Sequence, residues 1–389
     1  MKKEFLQQLD GYENVVKEIE VSRKFGIDYS RTKGEVAAAV GRFHPSRMIL
    51  RVTEIIEETP SAKTLRLSAL GHPLPPFEAG QYIALNLQFD PVRTTRAYSM
   101  SSAPSNTGYY DITVRRVPDG LVSSFLCDTV KPGDTLEASG PAGYFHYNPV
   151  FHDKVQVFLA GGSGIAPFMS MIREAAECGL DRTIYLFYGN PSAGDIIFHD
   201  ELVRIAKRCS NIHYIPVLEK EAGAQDLGCA CRFGLITGEL IQRELGDVDA
   251  KTFYMCGPSA MYDFCGAQLE ALGVPRRKIR RELYGAPRHI SQSPGWPAKI
   301  SEDTTCQVTV DGHDPIPALA GEPLLTALEK GGFRVPSLCR SGECSLCRVK
   351  IRSGSVFQPE GVLLRTSDQS YGYIHSCAAY PLEDLEVAL

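Results

Sequence analysis

Four cysteines near the end of the 389-residue chain have the types and spacing that do chemistry. Cys339, Cys344 and Cys347 follow the pattern C-x4-C-x2-C, and Cys377 returns after 29 intervening residues. Four thiolates so spaced suit a [2Fe–2S] cluster, in which two irons bridged by two sulfides need sulfur ligands around a small core. One tight loop supplies three ligands and a returning segment supplies the fourth. The loop from Leu338 to Cys347 is rich in small residues, so its backbone N–H groups can turn toward sulfur. Zinc is the rival occupant, but zinc ribbons usually carry two C-x2-C knuckles and this loop has one. Cys127, Cys178, Cys209, Cys229, Cys231, Cys256, Cys265 and Cys306 are scattered, and Cys229-Ala230-Cys231 reads as two incidental thiols.

A second segment with chemical potential is Gly161-Gly162-Ser163-Gly164-Ile165-Ala166-Pro167, which follows a predicted strand and opens a predicted helix. Glycines let the backbone approach a pyrophosphate, and a helix N-terminus offers N–H groups and partial positive charge. The turn departs from G-x-G-x-x-G, and read for structure alone it is a tight connection. The nine histidines show no H-x-x-x-H or H-E-x-x-H spacing and read as surface or core residues.

These groups need elements to hold them. The chain is too long for one ordinary core, so two or three domains are expected. A formal charge of -5 argues against nonspecific nucleic-acid or anionic-membrane binding. Apolar runs break before the ~18 residues that span a bilayer. Met1–Asp10 carries no secretory leader, so the thiols point to a cytoplasmic location. Ile49–Ile56, Thr64–Ser68, Gln81–Gln88 and Tyr109–Arg116 read as short strands, with turns at Gly71–Pro76 and Lys131–Gly133. After Asp153 the rhythm becomes α/β. Strands are predicted at Val155–Ala160, Thr183–Tyr188, Ile212–Val217 and Thr252–Met255, and helices at Ala166–Cys178, His199–Arg208, Thr237–Leu245 and Ser259–Leu272. Gly285–Pro297 is the best linker. Phe5, Leu6, Leu9, Val15, Val16 and Ile19 form a helical stripe, read as packing on the body in preference to a partner-docking arm.

Arg96-Ala97-Tyr98-Ser99, at the end of a strand candidate, resembles the R-x-Y-S signature of the ferredoxin–NADP reductase superfamily. Gly120-Leu121-Val122-Ser123-Ser124-Phe125-Leu126 is similar to that family's second phosphate-binding turn, and Thr113-Val114-Arg115 to its flavin-flanking strand. Cys256-Gly257-Pro258 resembles the motif that sets a cysteine beside the nicotinamide. Tyr188-Gly189-Asn190 and Asp195-Ile196-Ile197-Phe198 resemble the nicotinamide domain's third motif. Gly321–Leu328 and Ser376–Pro381 resemble the pre-loop helix and fourth-ligand segment of a plant-type ferredoxin. Ser345 stands where many members have glycine.

The resemblance implies an antiparallel β-barrel flavin domain at 47–150 and a parallel-sheet α/β nicotinamide domain at 151–284. A linker at 285–302 then leads to an α+β (β-grasp) ferredoxin domain at 303–389, and a short helical extension occupies 1–46. It implies roles for Arg96 toward phosphate, Tyr98 toward the isoalloxazine face, Ser99 near flavin N5 and Cys256 at the nicotinamide. Glu282 and Tyr284 would approach the flavin. FAD is expected over FMN. No Arg or Lys lies between Leu186 and His199, so NADH is expected over NADPH, although Arg204, Lys207 or Arg232 could fold over the site. The expected activity is hydride transfer from NADH to flavin, then single electrons through the cluster to an external acceptor protein. Rivals are a fixed subunit of a larger complex and a redox sensor without sustained turnover. Residues 303–389 hold seven Lys/Arg against eleven Asp/Glu, yet Arg340, Arg348, Lys350 and Arg352 crowd the ligand loop as an expected basic docking rim.

Overall fold

The computed structural model describes residues 12–24, 38–221, 223–283, 285 and 289–389. Among them no helix is long and apolar enough to cross a membrane.

Antiparallel strands β1 (Met48–Thr59), β2 (Ala62–Ala69), β3 (Tyr82–Phe89), β4 (Val92–Ser99), β5 (Tyr110–Arg115) and β6 (Thr135–Ala142) form one sheet in the order β4-β3-β6-β1-β2-β5. A bridge between Met100 and Ile112 brings its two ends together. Alternating residues such as Leu50 and Val52, Leu65 and Leu67, and Ile83 and Leu85 fill the interior, as a half-buried strand period requires. Helix α2 (Leu121–Ser124) follows β5 and continues into a π-helical turn at Phe125–Thr129.

The second sheet is parallel, with β7 (Val155–Gly161), β8 (Thr183–Asn190), β9 (Ile212–Leu218), β10 (Arg232–Phe233), β11 (Lys251–Cys256) and β12 (Ile279–Arg281) in the order β10-β9-β8-β7-β11-β12. Its strands are continuous apolar runs because helices cover both faces. These are α3 (Ile165–Cys178), α4 (His199–Arg208), α5 (Gly238–Leu245) and α6 (Ser259–Ala271), numbered after α1 (Tyr12–Lys24). Thr237 caps α5 by accepting the Leu240 N–H. The first order reversal, between β7 and β11, puts a crevice at the strand C-termini.

These two units share a core. Phe145, which follows the barrel, packs at 5.6 Å against Phe168 of α3, and Phe168 stacks at 4.6 Å on Phe158 of β7. Ala62 and Ala79 of the barrel belong to the same buried cluster.

The last sheet is mixed, ordered β14-β13-β19-β15-β17 from β13 (Thr305–Val310), β14 (Ile316–Leu319), β15 (Arg348–Ser353), β17 (Tyr373–His375) and β19 (Leu385–Ala388). A small ladder joins β16 (Val356–Phe357) to β18 (Tyr380–Pro381). Helix α7 (Leu324–Lys330) covers the sheet with Leu324, Leu325, Ala327 and Leu328. The stretch read as a linker is not free along its length. Ile290 is buried, and Trp296 meets Phe357 and Tyr380 edge-on.

Of the N-terminal stripe, Phe5, Leu6 and Leu9 lie outside the described residues, as does Tyr284. Helix α1 forms, with Val16 half-buried and Ile19 exposed.

Candidate functional site

The cysteine loop owes its shape to repeated left-handed turns. Arg340, Gly342 and Ser345 have φ of 56°, 81° and 60°. Glycine tolerates this conformation freely, whereas a residue with a Cβ is strained by about 1–2 kcal/mol. Ser345 therefore occupies a position whose backbone favours glycine. A Cβ on Gly342 would also press on Ala378 and Val362, each at 3.2 Å, so the loop lies close against the fourth-ligand segment. The Gly342 carbonyl also accepts from Nδ1 of buried His375 at 2.8 Å.

The turns aim N–H groups inward. Ser341 and Cys344 N–H each donate to Cys339 Sγ at 3.4 Å. The four predicted cysteines come together, Cys344 and Cys377 against Cys339, and Cys347 against Cys377. Hydrogen bonds from Cys344 and Cys377 push the Cys339 thiol down, toward the thiolate a metal requires. Among the described residues no three His, Cys, Asp or Glu side chains are placed to hold a metal ion. A binuclear cluster instead divides four sulfurs between two irons, and an all-thiol donor set with Cys339, Cys347 and Cys377 buried and Cys344 half-buried fits that chemistry.

Strand β4 positions the next group through its pairing with β3, where Tyr82 faces Ser99 and Ile83 faces Tyr98. Ser99 is buried, and burial pushes the Tyr98 phenol up, so it stays protonated. Arg96 is held by Thr94 Oγ1 and by the Thr95 carbonyl at 3.0 Å. Burial and the neighbouring Arg340 guanidinium lower it to about 10, while 35% of its side chain stays open. A partly open guanidinium of this kind suits the phosphate of a flavin nucleotide. Ala97 lies between them on β4, opposite Ala84.

The three residues of the neighbouring motif, all on β5, face different surroundings. The Thr113 hydroxyl is spent inside the barrel on Thr64 Oγ1 at 2.8 Å and Ser101 Oγ at 2.9 Å. Val114 is buried in the barrel core. Arg115 instead leaves the barrel. Its Nη1 meets Asp195 Oδ2 at 2.9 Å and its Nη2 donates to the Asp195 carbonyl at 3.0 Å. Thr59 and Ser61 donate to Asp195 Oδ1 at 2.8 and 2.5 Å. Asp195 thus gathers three side chains from the barrel.

In the predicted phosphate turn Gly120, Ser123 Oγ accepts the Val117 N–H at 3.1 Å and lies 3.3 Å from the Gly120 carbonyl. Val122 is buried and Leu121 exposed.

The glycine turn sits at the C-terminal end of β7, beside the end of β11. Gly162 and Ser163 keep an open face, whereas Gly164, Ile165 and Pro167 are buried where α3 starts. The Arg115 guanidinium lies 3.3 Å from where a Gly162 Cβ would be, so a cation overhangs backbone N–H groups, as a dinucleotide pyrophosphate needs. Cys256 is fully buried at the tip of β11, Gly257 donates its N–H to the Tyr262 hydroxyl at 3.1 Å, and Pro258 precedes α6. Asn190 is buried, and Arg232 is committed to Glu244 at 2.7 Å.

All three units meet at one place. Burial, then the charges of Cys339, Cys344, Glu282 and Glu343, push the Tyr82 phenol up. Burial, then Glu343 and Cys339, raises Glu282 well above the ordinary carboxyl range. One correction follows for the expected docking rim: Arg340 turns inward, its side chain only 11% exposed, and binds Glu329. Arg348, Lys350 and Arg352 are exposed, with Arg348 beside Asp368 and Arg352 beside Asp311. Glu329 and the barrel clasp at Asp195 were not singled out from the sequence. Glu329 has a signal, a charge placed among the apolar positions of α7.

Comparison with known proteins agrees with this architecture. The family model described as the oxidoreductase FAD-binding domain matches residues 50–147, the oxidoreductase NAD-binding domain residues 158–266, and the 2Fe-2S iron-sulfur cluster binding domain residues 305–382. NADH oxidoreductase HCR of Escherichia coli (strain K12) is 30% identical over 342 residues, 87% of this chain and 97% of that protein. The glycine betaine monooxygenase reductase subunit of Pseudomonas aeruginosa (strain UCBPP-PA14) is 29% identical over 353 residues, 88% of this chain and 95% of that protein. The structure of phthalate dioxygenase reductase, 24% identical, aligns with a TM-score of 0.63 over 88% of this chain and 98% of its own, and shares the fold. The chain belongs to the ferredoxin–NADP reductase superfamily, as an NAD(P)H-dependent oxidoreductase with FAD-binding, NAD-binding and C-terminal [2Fe–2S] ferredoxin domains.

Proposed function

We propose that the protein is a reductase component that draws electrons from NADH and delivers them singly to a separate acceptor protein. The observation that carries this reading is the direct contact of the cysteine loop with β4, where Arg340, next to Cys339, donates to the Thr95 carbonyl at 3.2 Å on the strand that bears Tyr98 and Ser99. FAD, when bound, accepts the two electrons of a hydride, and the cluster passes electrons one at a time.

The residues divide the work. Arg96 holds the flavin phosphate, with the backbone of the Gly120–Ser123 turn beside it. Tyr98 lies against the ring and, kept protonated by burial, donates through its hydroxyl. Ser99 would stand beside the ring, with the backbone of Thr113 and Val114 flanking it. Gly162 and Ser163 hold the NADH pyrophosphate under Arg115, while Gly161, Gly164, Ile165 and Pro167 shape that turn. Cys256, Gly257 and Pro258 wall the nicotinamide end. Cys339, Cys344, Cys347 and Cys377 hold the cluster.

The absence of a cation at Asn190 supports NADH over NADPH, whose extra phosphate calls for a basic partner. Relatives named as monooxygenase reductase subunits support an oxygenase component as the acceptor. An anaerobic NADH titration followed by absorbance and EPR tests the route. Flavin bleaching followed by a reduced-cluster EPR signal is expected, and a cluster that stays oxidised under excess NADH would refute it. A pull-down from cell extract, followed by reduction of the captured protein, tests the acceptor.

A further inference from the structure

One buried ion cluster joins the ferredoxin unit to the flavin strand, and its central pair, Glu329 and Arg340, holds no cofactor in the function proposed above. Glu329 lies in α7 and is only 4% exposed. Arg340 grips its carboxylate in bidentate fashion, Nη1 to Oε1 at 2.7 Å and Nη2 to Oε2 at 3.0 Å. From the barrel, Thr94 Oγ1 donates to Glu329 Oε2 at 3.0 Å, and Arg96 Nη1 stands 4.0 Å from the same oxygen. Arg340 Nη1 reaches back across the seam to the Thr95 carbonyl at 3.2 Å and lies 3.4 Å from Thr94 Oγ1.

A carboxylate on the covered side of a short helix is costly unless its charge is matched. Arg340 matches the charge from within the ferredoxin unit, and the Thr94 hydroxyl and the Arg96 guanidinium add partners that Glu329 has only when the units are docked. Arg340 directly follows Cys339, and β4 runs from Thr94 to Tyr98 and Ser99. The cluster therefore ties a ligand-bearing loop to the strand proposed to hold the flavin ring.

We propose that Glu329 and Arg340 are positioning residues, clasping the cysteine loop onto β4 and so setting the rate of electron passage between flavin and cluster. This rests on the function proposed above. Each NADH gives up a hydride, leaving NAD⁺, and its two electrons make two passages, each taking one electron from reduced flavin to an oxidised cluster that the acceptor reoxidises. The clasp exchanges no atoms; it fixes the geometry in which the passages occur.

The test uses the full chain loaded with FAD and cluster, in the variants Glu329→Gln, Arg340→Gln, their double, and Thr94→Val. Stopped-flow absorbance separates flavin bleaching by NADH from the slower bleaching of the cluster. Hydrogen exchange without NADH reads docking directly, through the amides of 92–99 and 338–347. In the Glu329 and Arg340 variants the first phase should be unchanged, and the second slowed at least about tenfold, as removing one partner of a buried charge pair implies. Exchange should rise on both sides of the seam. The double variant should be no worse than either single one, because both break the same clasp.

Thr94→Val changes no residue of the ferredoxin unit, and loss of the hydroxyl that donates to Glu329 and accepts from Arg96 should slow the second phase about tenfold, as loss of a hydrogen bond to a charged group implies. Should either charge variant lose its cluster, Thr94→Val decides alone. An unchanged second phase and unchanged exchange in Thr94→Val would overturn the proposal. So would a slowed second phase with 92–99 as protected as in the parent. Failure of the parent itself to reduce its cluster with NADH would instead refute the proposed function, and the exchange data would still judge the clasp.

Discussion

Gly164→Ala separates two reasons for glycine in the turn after β7. Gly164 has φ of −64° and ψ of −3°, so no left-handed strain demands glycine there. Space does. A Cβ would stand 2.2 Å from the Cys256 carbonyl oxygen, 2.5 Å from its carbon and 2.8 Å from Gly257 N. All three are backbone atoms at the end of β11, which is held in register with β7 through Cys256 and Ala160. None can swing aside as a side chain would, so the turn and the strand end must part by about an ångström. Overpacking of this kind costs about 1–3 kcal/mol, and rigid backbone neighbours put this case at the upper end. A displacement of that size at a substrate-positioning turn is expected to slow NADH-driven flavin reduction about 100-fold.

The assay pairs stopped-flow bleaching with thermal melting. Gly108→Ala is the control, since its Cβ would meet nothing within 4 Å and its φ is not positive. Equal melting and equal bleaching rates in the two variants would refute the contact argument.

Three further outcomes are expected. Cys347→Ser should abolish the reduced-cluster EPR signal while NADH still bleaches the flavin; a surviving signal would remove Cys347 from the ligand set. Asp195→Ala strips Thr59, Ser61 and Arg115 of a shared acceptor and should lower stability by about 1–2 kcal/mol, because the group is only partly buried. Urea midpoints check this, and Asp195→Asn should recover part of the loss. His152 Nδ1 accepts from the Asn148 N–H at 3.0 Å and the Tyr254 hydroxyl at 2.7 Å, so it must be unprotonated. Burial, then Arg280, lowers it from 6.5 to about 4. The unfolded chain therefore takes up the proton first, and this contribution to stability, full above pH 6.5, is lost as pH falls toward about 4. Melting temperature against pH should show that slope, and His152→Gln should flatten it.

Local signals made most of the architecture legible. The parallel strands announced themselves as short apolar runs because both faces are covered, and α4 ends where its amphipathic pattern ends, at Arg208. The cysteine set was equally plain, since ligand spacing is a property of the chain itself. What escaped was contact between units. Arg115 lies on a strand resembling a flavin-flanking one, yet its side chain crosses to Gly162 and Asp195, 80 residues away from the latter. Arg340 looks like part of an exposed basic rim until Glu329 and Thr95 are folded beside it. Thr113 offers a hydroxyl in the sequence that the barrel interior has already used. The direction in which a side chain leaves its element is set by packing that no short motif records.

The shared core of Phe145, Phe158 and Phe168 bears on how the chain comes apart. An unfolding transition is cooperative over whatever buries one contiguous apolar cluster. The barrel and the parallel sheet have such a cluster in common, reinforced by Ser170 Oγ donating to the Ser102 carbonyl and Arg173 to the Ser101 carbonyl, each at 2.7 Å. The ferredoxin sheet closes around its own. Three domains should therefore melt in two calorimetric steps, with the flavin and nicotinamide units lost together and the iron–sulfur unit separately.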